Sequence, residues 1–94
     1  MKKYYICPKD TVAVAVNHLA AFDYVDLPDG HVLLSGQGNT DRFEQHITVE
    51  PLPDLYSPEP ISDAHAKRLA PLGIQPGHKT IDVRNAARKL HRLM

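Results

Sequence analysis

The chain has 94 residues, 43% apolar and 23% charged, with 11 basic against 11 acidic side chains. That is the make-up of a small soluble globular protein with a modest core, either one compact domain or a smaller domain with an appendage. A single cysteine, Cys7, excludes an internal disulfide and fits a reducing, cytoplasmic setting, and no apolar run approaches the roughly 20 residues of a membrane span.

Residues 3–7, rich in Tyr and Ile and closed by Pro8, predict a short strand. Residues 11–22 satisfy two periods. Val12, Val14 and Val16 alternate with alanines as in a strand, while Val12, Ala15, Val16, Leu19 and Phe22 form a helical stripe with Asp10 or Thr11 as cap. A run of about twelve residues favours the helix. Residues 24–27 and 31–35 alternate around Pro28-Asp29-Gly30, a hairpin signal because Gly supplies positive φ. Residues 35–39 (Ser-Gly-Gln-Gly-Asn) are expected as a loop, residues 40–46 as a turn or two of helix, and residues 47–50 as a last strand ended by Pro51.

The predicted order is β-α-β-β-α-β, which defines an α+β fold with a small antiparallel or mixed sheet. It is the order of the split βαβ pattern of ferredoxin-like folds in a short form, an analogy of element order alone. Residues 1–50 form this domain. Residues 51–60 hold four prolines and read as a stiff linker without the PxxP spacing of a recognition peptide.

Residues 61–94 follow as a basic helical pair expected to pack on the first part. Ser62 caps a helix over 63–70 that Pro71 and Gly73 stop, and Gln75-Pro76-Gly77-His78 is a turn. Thr80 is expected to cap a second helix running to the chain end, with Val83, Ala87, Leu90 and Met94 as its apolar stripe. The zero net charge is a cancellation: residues 1–60 carry four basic against nine acidic side chains (−5), and residues 61–94 seven against two (+5). Such a split fits an anionic partner, or one half docking on the other.

The chemical motifs are sparse. Arg84, Arg88 and Arg92 stand in one row on the last helix, with Lys89 and His91 beside them. Such a row suits nucleic-acid phosphates, whereas its plain reading is a solvated helix face with cations toward the C-terminus. Ten residues between the two helices are too many for a helix-turn-helix. Residues 35–40 lack the third glycine of a dinucleotide fingerprint and the Lys-Ser/Thr of a P-loop, so a surface turn is the plainer reading. The six histidines (His18, His31, His46, His65, His78, His91) lie too far apart in sequence for a metal motif, and scattered surface histidines are the plain expectation.

Cys7 has no neighbouring His, Ser35 lies in no nucleophile elbow, and Asp23, Asp26 and Asp29 surround a hairpin where solvated acids are normal. We therefore expect no catalytic site, no metal and no cofactor. The expected function is a small non-catalytic interaction or assembly module, at the scale of many accessory proteins of viruses and mobile elements. It would use its C-terminal helices to contact a protein partner or copies of itself. The alternative is a nucleic-acid-binding protein that contacts phosphates through Arg84, Arg88, Lys89 and Arg92. No membrane partner is expected.

Overall fold

The computed structural model describes residues 2–47 and 50–93, the side chains of His91, Arg92 and Leu93 excepted. Strand β1 (Lys3–Pro8) buries Tyr4, Tyr5, Ile6 and Cys7 in succession, so both of its faces are covered. Helix α1 (Thr11–His18) follows without the expected side-chain cap, since Asp10 is itself in the helical region and makes no capping bond. The helix is also shorter than its stripe suggests. At Leu19 the backbone turns extended (φ −94°, ψ 134°), and Leu19–Asp26 form strand β2. Of the expected helical stripe, Val16 stays 63% exposed while Ala15 is fully buried.

Strand β3 (His31–Gly38) returns through the expected turn, in which Gly30 has φ +79° and the Leu27 N–H donates to the His31 carbonyl (2.8 Å). The sheet order is β1-β3-β2 and both pairings are antiparallel. The loop expected over 35–39 is thus strand as far as Gly38. The glycines are there because β2 comes close. A Cβ on Gly36 would stand 2.5 Å from Leu19 Cδ1, and one on Gly38 would stand 2.6 Å from the Ala20 nitrogen. The register slips between Leu19 and Ala21, leaving Ala20 as the extra residue opposite this tight stretch.

Helix α2 (Thr40–Gln45) is capped by the Asn39 side chain, which accepts from the Arg42 N–H (3.4 Å). It drops Phe43 edge-on to Tyr5, ring centroids 5.2 Å apart. Tyr5, Cys7, Ala15, Leu19, Val32, Leu34 and Phe43 form one core cluster. Of the strand expected over 47–50, Thr48 and Val49 lie outside the described residues, and Ile47 and Glu50 belong to no strand. Immediately beyond, Pro51 bridges Tyr5 and the Leu52 N–H donates to the Tyr4 carbonyl (2.8 Å), along the edge of β1 away from β3. The fold is small α+β, with β3 between the strands that α1 connects, as in the split βαβ pattern.

The chain divides into two compact units, residues 1–52 and 53–94, so the division falls inside the proline-rich stretch. In the second unit Ser62 caps α3 (Asp63–Arg68), accepting from the His65 N–H (3.2 Å). A 3₁₀ turn (Ala70–Leu72) begins before the expected helix end, and Gly73 closes it at φ +87°. Helix α4 (Thr80–Leu93) starts differently from the expectation. The Thr80 hydroxyl does not cap it but donates to the Pro53 carbonyl (2.8 Å). Asp82 instead reaches back to accept from the Lys79 N–H (2.9 Å), half of a capping box. Pro60 bridges Lys79, and the Ile61 N–H donates to the His78 carbonyl. Ile61, Ala66, Leu69, Ile74, Thr80 and Val83 are buried.

Candidate contact surface

Helix α4 changes character along its length. Thr80 and Val83 are buried, Ala86 and Ala87 are half-buried, and Leu90 is 36% exposed. The apolar stripe is therefore covered in the first turn and opens toward the C-terminus. A groove runs beside it, with Pro71, Leu72, Gly73 and Ile74 on one wall, His78 at the start, and Asp82, Asn85, Ala86, Lys89 and Leu90 from α4 on the other. The turn before α4 is tied locally, His78 Nδ1 accepting from the Gln75 N–H (2.9 Å).

The basic residues singled out from sequence do not form one uniform row. Arg84 is half-buried, its Nε shut off from solvent without a hydrogen-bond partner. Arg88 is exposed, and Arg92 has its backbone in α4 with its side chain outside the described atoms. Lys89, also exposed, belongs to the groove together with Asp82. Among the described residues no ion pair holds Arg84, Arg88 or Lys89.

The other candidates are engaged elsewhere. The glycines of residues 35–40 lie in strand β3 against β2, where neither has room for a Cβ. His18 and His46 stack at 4.7 Å between the ends of α1 and α2, and His31 contacts Asp29 (3.3 Å). Among the described residues no group of three or more His, Cys, Asp or Glu side chains could hold a metal ion. At the hairpin, Asp26 pairs with Lys9 (3.3 Å), and Asp23 accepts from the Tyr24 N–H (2.9 Å). Cys7 is buried, and burial pushes its thiol up to about 11, a side-chain hydrogen bond with Thr11 opposing and Asp10 adding to the rise.

One cluster carried no signal in the sequence. Glu44 Oε2 accepts from the Tyr5 hydroxyl and from Lys3 Nζ, each at 3.1 Å. Burial first, then the Glu44 charge, raises the Tyr5 phenol above its ordinary value. The three residues tie α2 to β1 across about 40 positions, a distance over which no local pattern operates.

No helix among the described residues is long and apolar enough to cross a membrane. No protein-family model, no curated protein and no solved structure matches the chain, so its chemistry is read from its own residues.

Proposed function

We propose that this chain is a small, non-catalytic interaction or assembly module of a reducing, cytoplasmic setting. Its contact surface is the open half of α4 with the groove beside it. The observation that carries the reading is the gradient on α4: the same stripe that buries Val83 leaves Leu90 exposed beside an apolar groove wall of Leu72 and Ile74. Leu72, Ala86 and Leu90 line one groove with Asp82 and Lys89 beside them, an apolar centre with a polar rim as in a docking surface. The absence of catalysis is argued from engagement: the hairpin acids hold local partners, and burial keeps the one thiol neutral.

The test is the size of the tagged full chain in an extract of its native cells, with and without Leu90→Asp. The wild type should run in a complex and the variant at the position of the free chain. Co-elution of both at the free position, with a purified chain that does not self-associate, would sink the reading. A second reading, nucleic-acid binding, rests on a separate observation: Arg88 and Lys89 are exposed and hold no ion pair among the described residues.

A further inference from the structure

The groove along α4 carries opposite charges at its two ends. Asp82 stands in the first turn and Lys89 two turns on, and both line the groove. Seven residues rise about 10 Å along a helix, whereas side chains on one helix meet at a spacing of three or four. Asp82 and Lys89 therefore cannot neutralise each other. Neither forms an ion pair among the described residues, and Asp82 uses Oδ2 for the Lys79 N–H. A matching occupant must bring a cation to Asp82 and an anion to Lys89, two helical turns apart, with small or apolar groups between.

Helix α4 run in the opposite direction has this pattern. We propose that the groove recognises a second copy of this chain: two α4 helices pair antiparallel about a twofold axis beside Asn85 and Ala86. Asp82 of each copy faces Lys89 of the other. Parallel pairing would set Asp82 against Asp82 and Lys89 against Lys89, so charge alone selects the direction. Asn85 and Ala86 meet at the crossing, where small side chains let helices approach closely. Leu90 of each copy comes to the start of the other α4, the end of the groove where His78 stands. A contact of three turns is small, so the dimer is weak and reversible. The inference rests on the reading of α4 as a contact surface and names its partner.

Sedimentation equilibrium of the purified full chain tests it. The wild type should dimerise reversibly. Lys89→Glu puts like charges opposite each other at both ends and should weaken association at least tenfold. Salt should narrow this difference, because screening removes two attractions from the wild type and two repulsions from the variant, so the variant's salt response is displaced toward dimer. Asp82→Lys should act alike, and an equimolar mixture of the two variants should dimerise as well as wild type, because every facing pair is again of opposite sign. Asp82→Lys also removes the bond to the Lys79 N–H; if it melts too early to use, the displaced salt response of Lys89→Glu decides by itself. A wild type that stays monomeric at millimolar concentration overturns the proposal, as does a Lys89→Glu variant that associates like wild type. A monomer in pure form, but in an extract complex that Leu90→Asp disrupts, overturns the twofold pairing alone. Loss of the extract complex as well removes the broader reading.

Discussion

Two small residues carry much of the constraint on the sheet. Cys7 is fully buried, and its thiol is pushed up to about 11 from an ordinary 9. The folded chain therefore keeps a proton that the unfolded chain releases from about pH 9. The contribution of Cys7 to stability is intact below that value and lost as pH rises toward 11. We expect thermal melts from about pH 8 upward to fall through this window, and less steeply in Cys7→Ala. At pH 8 the thiolate fraction is about a hundredfold smaller in the folded chain, so alkylation of Cys7 should be slow until urea is added. Gly38 is constrained by geometry: at φ +114° an added Cβ meets the Ala20 backbone, which cannot move aside as a side chain can. Gly38→Ala should cost about 2 kcal/mol or more in urea unfolding. Gly36→Ala presses chiefly on the Leu19 side chain and should cost less. Equal effects of the two would contradict this account of the tight stretch.

At the scale of elements, the same sequence signal had different outcomes. Ser62 and Asp10 both stand where an N-cap is expected, yet only Ser62 accepts a backbone N–H. Ser62→Ala should destabilise its unit by about 1 kcal/mol, whereas Asp10→Ala should stay within about 0.5 kcal/mol of wild type, both read from chemical denaturation. Thr80 gives a third case. Its fully buried hydroxyl serves the Pro53 carbonyl, so Thr80→Val keeps the shape, leaves that carbonyl without its donor and should cost about 1–3 kcal/mol. The hairpin turn and the cap of α3 were legible because each is decided within four residues. The end of α1 was not, because residues 11–22 fit both periods. What decides is the pairing of Leu19 to Phe22 with Gly38 to Gly36, glycines that read locally as a loop. The candidate site divides the same way. Four-residue spacing reveals the arginine row, but the wall of Leu72 and Ile74 depends on a 3₁₀ turn ahead of Gly73, and that wall is what separates Lys89 from the arginines.

At the scale of the whole molecule, charge and contact surface constrain one another. Divided where the two units part, residues 1–52 hold four basic against seven acidic side chains (−3), and residues 53–94 seven against four (+3). Asp54 and Glu59 thus travel with the basic unit, and its excess is smaller than a boundary at residue 60 suggests. An excess of only +3 in one unit of a neutral chain steers polyanions weakly. Nucleic-acid binding would then have to come from the exposed cations Arg88 and Lys89. Two phosphates neutralised by them imply a slope of about −2 in log affinity against log salt on duplex DNA. Anisotropy titrations from about 20 to 150 mM salt measure it, about a 40-fold loss over that range. Changing Arg88 and Lys89 to Ala should abolish both the binding and its slope. Arg84 and Arg88 do not line the groove, and Lys89 does. The two surfaces on α4 are therefore separable by mutation. Arg88→Ala should leave self-association unchanged while weakening any binding to DNA, and Lys89→Glu should change self-association most. If Arg88→Ala disrupts the dimer as strongly as Lys89→Glu, the facing pairs are not what holds it, and the antiparallel arrangement fails with them.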